Sequence, residues 1–500
     1  MERYPNISIL LNIPQKYIPK AEFVLRTYCY ILRLNPKFMY GAHYEGAHLY
    51  YGLPSQYDYP LKIYYEPKTA EFFEKRELYP LDKVSFCKFT GEHIPFLFSQ
   101  GGGLFSFSEE SCFFRKDIIA GGFYFLTCWH EFILSHYGVK APASEVGNKS
   151  ANTQNQNPGK GRVDFKQSLQ YRWDFTEIPV VDVYCQMLLY AMGKYCPQFV
   201  RDTNWAENKK FAVSLSHDID YWNYWDGSAK LDAFKYNLRT FLKRPLNATY
   251  KITGHFLHKN LIYNHWKTLR TLARKEHEKG VRSTWFLLAR DDFEDKRQNY
   301  ISDVLAREQI SDLLSQQEVG LHGSPESAFD QDVLHEELQN LKDLGFKPTG
   351  YRTHFLNFNY QKSFAILEAE GIKYDSTLGY WENIGFRAGI SFPFFPFNIA
   401  ENRPFRVLEI PLIVMDTTLF SHKAMNMSYH SSKRSLRRLI DVAAKYQSHL
   451  SLLWHNTTFD PIDYPLWGTL YWETIDYALK KQGWITSLHN IYEEWVNLSY

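Results

Sequence analysis

Three ionisable side chains, those of His217, Asp218 and Asp220, lie within four residues of one another at the end of an apolar segment. The segment reads FAVSLS (residues 211–216) and predicts a buried strand. Charged groups beside such a strand cost free energy unless they are paired or bind an ion. At a strand end Asp218 and Asp220 share one side, so one carboxylate could bind a metal while the other accepts a proton from a metal-bound water. The alternative is an exposed turn in which the aspartates only cap the backbone.

Three further extended segments end in residues of the same kind. His322 follows EVGL, and His455 follows HLSLLW. The segment GYRTHF contains Arg352 and His354. Imidazole and carboxylate groups are common ligands of zinc and similar ions. Any one of these histidines alone could be a hydrogen-bonded core residue, but four strand ends of the same character predict one shared site.

Six segments of residues 206–500, taken in order, resemble a divergent polysaccharide deacetylase domain of the NodB-homology type (carbohydrate esterase family 4): SLSHDID, STWFLL, EVGLHGS, GYRTHF, YDST and LLWHN. The resemblance is greatest to a bacterial branch in which an HDxD motif replaces two adjacent aspartates. It implies a distorted (β/α) barrel. It also implies a metal-dependent hydrolase that removes N-acetyl groups from an amino-sugar-containing glycan or glycan precursor.

The resemblance implies a role for each matching residue of the reaction centre. Asp218 would be the general base, and Arg352 would hold and orient it. His455 would be the general acid that protonates the leaving amine. The backbone N–H of Phe355 would help to bind the oxyanion.

The metal site departs from the family pattern in two places. Asp220 and His322 match two ligands of a divalent ion, with zinc expected first and cobalt, nickel or manganese as alternatives. The family's second histidine, four residues after the first, is Glu326 here, and a proline that the family has after its arginine is replaced by His354. His354 is the preferred third ligand and Glu326 the alternative. A two-ligand site completed by water, or a site without metal, also stays open.

Four further residues are candidates for the substrate pocket. Asp375 in YDST could contact Arg352 or substrate, or could cap a turn. Arg387, beside an aromatic loop, suits a sugar hydroxyl, carboxylate or phosphate. Trp381 and Trp454 could stack on a sugar ring, although packing would explain both.

A recurring unit from residue 210 onward must position these groups. Polar helical stretches end in glycine and are followed directly by extended apolar segments, as in NLKDLG then FKPTGYR and in LKKQG then WITSLH. Residues 330–344 show a leucine stripe of helical period, with Asp330 as a candidate N-cap. Alternating helices and strands predict an α/β fold with a parallel sheet or barrel, whose chemistry lies at the carboxyl ends of the strands.

The length of 500 residues suggests more than one domain. We predict a mixed α/β N-terminal domain of unknown function at residues 1–205, with a polar loop at 140–162, and the deacetylase-like barrel at 206–500. The six cysteines all lie before residue 197 and lack metal-site spacing, which is typical of reduced buried thiols.

The net charge of +2 is far below the positive charge that a nucleic-acid-binding protein needs, and it is more compatible with a carbohydrate partner. No membrane-spanning run or signal layout occurs, so we expect a cytoplasmic protein. The oligomeric state is not predicted. Two other functions stay open: an inactive glycan-binding or scaffold protein that keeps the barrel, and a hydrolase of another linear amide or of an O-acetyl ester.

Overall fold

The computed structural model describes residues 4–99, 101–137, 164–200, 205–222, 265–293, 298–461 and 463–499. The predicted polar loop at 140–162 lies outside the described residues.

The described strands and helices are numbered in chain order. The strands are β1 (Asn6–Asn12), β2 (Asn35–Tyr40), β3 (Leu49–Gly52), β4 (Leu61–Tyr64), β5 (Ser85–Phe89), β6 (Glu92–Phe96), β7 (Phe105–Phe107), β8 (Cys112–Phe114), β9 (Phe211–Ile219), β10 (Ser283–Leu287), β11 (Glu318–Gly323), β12 (Gly350–Thr353), β13 (Tyr374–Asp375), β14 (Phe397–Asn398), β15 (Arg403–Pro404), β16 (Leu408–Glu409), β17 (Val414–Met415), β18 (His449–Leu453) and β19 (Gly483–Thr486). The helices are α1 (Ile18–Ile31), α2 (Thr69–Lys75), α3 (Ile118–Leu126), α4 (Trp129–Tyr137), α5 (Leu169–Arg172), α6 (Val180–Tyr195), α7 (His265–Glu278), α8 (Val304–Leu314), α9 (Gln331–Asp343), α10 (Tyr360–Ala369), α11 (Asp416–Phe420), α12 (Tyr429–Tyr446), α13 (Trp467–Lys480) and α14 (Leu488–Ser499).

A curled parallel sheet carries the four predicted strand ends. Its order is β16-β13-β12-β11-β10-β9-β18-β17, and β19 also pairs with β9. All of its pairings are parallel. The outermost strands β16 and β17 are joined by residues 410–413 alone, so the two edges of the sheet are brought close to each other. The mixed α/β class is therefore confirmed, and the curled sheet is consistent with a distorted barrel.

The helix ends explain how the chain returns to this sheet. Asp330 is the N-cap of α9, and its carboxylate accepts hydrogen bonds from the backbone N–H groups of Asp332 and Val333 at 3.0 and 3.3 Å. Gly345 follows α9 with a φ of +88°, as the glycine pattern predicts. The pattern is wrong after α13, where Gln482 takes the left-handed position with a φ of +65°. Gly483 is instead required by packing, because a Cβ atom there would lie 2.8 Å from the ring of Phe211.

The first 200 residues contain a second, mainly parallel sheet. Its order is β2-β1-β3-β4-β8-β7, and only β7 runs antiparallel to its neighbour. Helices α1 and α3 pack together through an edge-to-face contact between Phe23 and Phe123, whose ring centroids are 6.1 Å apart. The mixed α/β character of this region agrees with the sequence, whereas its independence as a domain stays a prediction.

The two regions share one continuous buried apolar cluster, which runs from β1 to α14. A bidentate ion pair crosses between them, with the guanidinium of Arg387 2.6 Å from the carboxylate of Glu131 in α4. The hydroxyl of Tyr360 donates to the backbone carbonyl of Leu126 at 2.8 Å. The segment around Arg387 is therefore folded against the N-terminal region.

In the described part of the chain, α3 and the start of α4 reach the length and apolar composition of a membrane span only when taken together across a 50° bend, and no helix does so by itself.

Asp182 in α6 provides a test of this contact between regions. Its buried carboxylate accepts hydrogen bonds from the backbone N–H and the hydroxyl of Ser391, yet burial raises the pKa of Asp182 to about 7. The folded state therefore holds a proton that the unfolded chain releases near pH 4, and stability falls as the pH rises from about 4 to about 7. We expect Asp182→Asn, which cannot ionise, to have a higher melting temperature than the wild type at pH 8.

The advantage of Asp182→Asn should shrink as the pH falls and should vanish near pH 4. Thermal unfolding at several pH values between 4 and 8 measures the difference. A gap between the variant and the wild type that does not change with pH would contradict the assigned cause.

Candidate functional site

Asp218 and Arg352 form a buried ion pair at the carboxyl ends of β9 and β12. The Nη1 atom of Arg352 lies 2.9 Å from Oδ1 of Asp218. The guanidinium is also fixed by donation to the Ser216 hydroxyl at 2.8 Å and to the Ser376 carbonyl at 2.8 Å. Burial opposes ionisation of Asp218, but Arg352 and His322 outweigh it and lower the pKa of this carboxyl group. Asp218 is thus held ionised and in one orientation, as a general base requires.

Asp220, His322 and His354 form a cluster whose ligand atoms all lie within 4.8 Å of one another. Oδ1 of Asp220 is 3.2 Å from Nε2 of His322 and 3.7 Å from Nε2 of His354. The three residues come from the ends of β9 and β11 and from the turn after β12. This cluster contains the three ligands preferred from the sequence.

The hydrogen bonds of the cluster fit a divalent cation. The Nδ1 atom of His322 donates to the Arg352 carbonyl at 3.0 Å, because a carbonyl oxygen can only accept. Burial opposes a charge on His322, but Asp218 and Asp220 outweigh it and raise the pKa of this imidazole, so positive charge is favoured between Nε2 of His322 and the buried Oδ1 atom of Asp220. Burial lowers the pKa of His354 to about 4, so its imidazole is neutral near pH 7. Two imidazoles, which bind a metal in their neutral form, and a carboxylate are ligands of the kind that zinc prefers, and the site is suited to such an ion.

Glu326 does not belong to this cluster. It is exposed and lies in the turn that follows β11, where its backbone carbonyl accepts a hydrogen bond from Phe329 at 2.8 Å. The geometry favours His354 over Glu326 as the third ligand.

His455 faces the cluster from the end of β18 and is oriented by Asp416. Nδ1 of His455 lies 2.7 Å from Oδ1 of Asp416, and Oδ2 of Asp416 accepts from the backbone N–H of His455 at 2.8 Å. Nε2 of His455 is 3.9 Å from Oδ2 of Asp220. Burial opposes the charge on His455, but Asp416 outweighs it and raises the pKa of His455 to about 10. The imidazole is therefore protonated near pH 7 and can donate a proton.

Asp416 is the residue of this site that sequence reasoning missed. It is fully buried at the first position of α11, directly after the two-residue strand β17. The segment IVMD does end an apolar run in an acidic residue, as FAVSLSHD does. The same strand-end criterion applied to this shorter run would have found it.

A strained turn places His354. Phe355 and Leu356 have φ values of +61° and +51°, a left-handed conformation that non-glycine residues adopt at some cost in free energy. The ring of Phe355 is 67% exposed, and its centroid lies 3.8 Å from that of the His354 imidazole. The turn therefore directs His354 toward Asp220 and leaves an aromatic surface beside it. The predicted oxyanion contact of the Phe355 N–H stays a prediction.

Two candidate pocket residues have other partners. Asp375 is fully buried, and its carboxylate accepts from the hydroxyl and the N–H of Thr377 at 2.7 and 3.0 Å, which fits the alternative of a turn cap. Burial raises the pKa of Asp375, whose neighbour is Glu409 on the adjacent strand. The guanidinium of Arg387 binds Glu131 and the Gly379 carbonyl. Substrate contact by Asp375 or Arg387 has no support from these positions.

The two tryptophans differ in exposure. Trp454 is fully buried and packs on Tyr471, with ring centroids 5.6 Å apart, so neither of its faces is open to a sugar. Trp381 is partly exposed and packs against a small apolar cluster formed by Leu356, Leu412, Met415 and Leu453. Three members of this cluster lie within two residues of His354, Asp416 or His455 along the chain. Trp454 is therefore a packing residue, whereas Trp381 has exposed surface that a ligand could contact.

No protein-family model and no curated protein sequence matches this chain. Among solved structures, the chain is similar to that of a "putative polysaccharide deacetylase" from Mycobacterium smegmatis, with 16% sequence identity and a TM-score of 0.39. The match covers 60% of this chain and 94% of that one. A likeness at this level assigns neither a family nor an activity.

The ligand set predicts unequal effects of two alanine substitutions. His354→Ala should weaken zinc binding by more than about 100-fold, because a direct ligand matters at least as much as the partners that orient ligands. Glu326→Ala should bind zinc as the wild type does. Titration calorimetry and metal analysis of the purified variants measure both. Normal zinc binding by His354→Ala together with a loss in Glu326→Ala would reverse the assignment.

Proposed function

We propose that this protein is a metal-dependent hydrolase that removes N-acetyl groups from an amino-sugar-containing glycan or glycan precursor. The observation that carries the proposal is the arrangement of opposite proton-transfer groups around one metal-suited cluster. Oδ2 of Asp218 lies 3.8 Å from Nε2 of His322, and Nε2 of His455 lies 3.9 Å from Oδ2 of Asp220. A base held ionised and an acid held protonated therefore both border the three ligands.

A divalent ion held by Asp220, His322 and His354 would polarise the amide carbonyl and acidify a water molecule. Asp218, kept ionised by Arg352, accepts a proton from the attacking water. His455, kept protonated by Asp416, donates a proton to the nitrogen as the C–N bond breaks. Water is thereby added across the amide, and acetate and a free amine are the products.

The substrate class is supported by three features. The ordered motifs of residues 206–500 resemble those of glycan N-deacetylases. The exposed ring of Phe355 and the partly exposed Trp381 border the site and suit the apolar face of a sugar ring. The net charge of +2 is also compatible with a neutral glycan. Another linear amide or an O-acetyl ester would use the same groups, and a panel of acetylated substrates separates these possibilities.

Asp218→Asn is the direct test of catalysis. Without a general base, kcat on N-acetylglucosamine oligomers should fall by about 10²–10⁴-fold, while zinc binding is retained because Asp218 is not a ligand. Asp182→Asn, the same substitution at a buried acidic side chain that hydrogen-bonds Ser391, is the matched control. Unchanged turnover in Asp218→Asn would contradict the role of Asp218 as general base, and a wild type without bound metal and activity would favour the non-catalytic glycan-binding alternative.

His455 and Asp416 should behave as one unit. We expect His455→Ala and Asp416→Ala each to lower kcat by about 10²-fold or more, because either change removes the oriented acid. The double variant should be hardly worse than His455→Ala, since Asp416 acts only through the imidazole. Steady-state kinetics of the two single variants and the double variant gives a double-mutant cycle. If the losses in kcat of the two single variants add up in the double variant, Asp416 has a role that does not depend on His455.

A further inference from the structure

His217 occupies the strand position next to the proposed base but points away from the metal-suited cluster. Its side chain is fully buried, with Nδ1 2.7 Å from the backbone carbonyl oxygen of Trp454 and Nε2 3.0 Å from Oε1 of Glu276 in α7. Glu276 is only 2% exposed, although the helix that carries it is otherwise rich in charged surface residues. Neither residue belongs to the reaction described above.

Hydrogen bonds tie His217 to both the Trp454 carbonyl and Glu276. Nδ1 of His217 must donate, because the Trp454 carbonyl can only accept. The carboxylate of Glu276 faces two further donors, the Ser283 hydroxyl at 2.6 Å and the Tyr471 hydroxyl. His217 and Glu276 are thereby fixed in one arrangement inside the protein.

A buried polar pair is weak evidence for stability, because an apolar pair of similar volume is often as favourable. Its position suggests another use. The Trp454 carbonyl and the His455 N–H belong to the same peptide group, and in a planar trans peptide they point in opposite directions. His217 binds the carbonyl from one side, and Asp416 accepts from the N–H at 2.8 Å on the other. The peptide that carries the imidazole of His455 is thus held at both edges.

The regular strand pairing stops short of this peptide. The register of β9 with β18 ends at Ser216 and Leu453, so the peptide after Trp454 lies outside the paired segment. The same His217 is covalently next to Asp218. Rotation of the peptide would change the direction of the His455 side chain relative to both aspartates.

We infer that His217 and Glu276 are positioning residues, which fix the peptide between Trp454 and His455 and thereby the spacing of the general acid from Asp218 and Asp220. The inference rests on the proposed function for its kinetic consequence, but its structural part can be measured without any activity. A misplacement of a catalytic group by about 1 Å can cost about 10²-fold in rate.

Two amide substitutions separate the two contacts of His217. The shorter Asn in His217→Asn can still donate to the Trp454 carbonyl, as Nδ1 does, whereas the longer Gln in His217→Gln extends toward Glu276 and gives up the carbonyl. His449→Gln is the matched control. His449 is a buried histidine on the same pair of strands, at their opposite end, where it bonds the Ser214 hydroxyl at 2.8 Å.

The first measurement is the rate at which diethyl pyrocarbonate modifies His455 in the full-length, zinc-supplemented protein, followed by mass spectrometry. The reagent attacks neutral, accessible imidazole, so release of His455 from Asp416 should accelerate it several-fold. We expect faster modification in His217→Gln and wild-type rates in His217→Asn and His449→Gln. Equal rates in His217→Gln and His449→Gln would overturn the inference.

The second measurement is kinetic. His217→Gln should lower kcat by about 10- to 100-fold with unchanged KM and zinc content, and His217→Asn should recover most of this loss. If the wild type does not hydrolyse acetylated sugars, the proposed function is refuted. If His217→Gln nevertheless speeds the modification of His455, the positioning role is supported independently of that function. If His217→Gln does not fold, Glu276→Gln must raise the modification rate of His455 above that of His449→Gln, and failure to do so overturns the inference.

Discussion

Two carboxylates, those of Asp218 and Asp220, stand one residue apart at the end of a strand that is buried along its whole length. Removing charge from water in this way costs several kcal/mol per ion unless it is compensated, and much of the surrounding structure supplies that compensation. Arg352 on β12 reaches Asp218 on β9 across the two intervening strands β11 and β10, and the imidazoles of His322 and His354 turn toward Asp220. The parallel register brings these side chains to one edge of the sheet.

The same charged neighbours set the protonation states of the two groups that we propose to transfer protons. Asp218 is kept ionised by a guanidinium, and His455 is kept protonated by Asp416, which is itself fully buried. The pKa values of the proposed base and the proposed acid are thus moved in opposite directions, which gives each the protonation state that its proposed role needs. Fixed charges achieve this without a conformational change between the two steps.

Residue type at strand ends predicted the position of every member of the metal-suited cluster, because a polar group after an apolar strand is a strong local signal. The glycine rule worked after α9 for the same local reason and failed after α13, where Gln482 adopts the left-handed conformation. Asp416 was missed because β17 has two residues and an acidic residue at a helix start looks like an ordinary cap. Substrate contact by the pocket candidates stays a prediction. Sequence does not tell whether an arginine in a long loop faces solvent or a carboxylate 256 residues earlier, as Arg387 does.

The contact between Arg387 and Glu131 limits how the two regions of the chain can be recombined during evolution. It joins the loop that carries Arg387, beside the curled parallel sheet, to the N-terminal region through a buried, bidentate ion pair. Loss of either partner would leave the other charge buried and uncompensated. Recombination that replaced residues 1–205 with an unrelated segment would remove Glu131 and would leave the buried guanidinium of Arg387 without its partner. The two regions are expected to be exchanged as one unit, or to change together at these two positions.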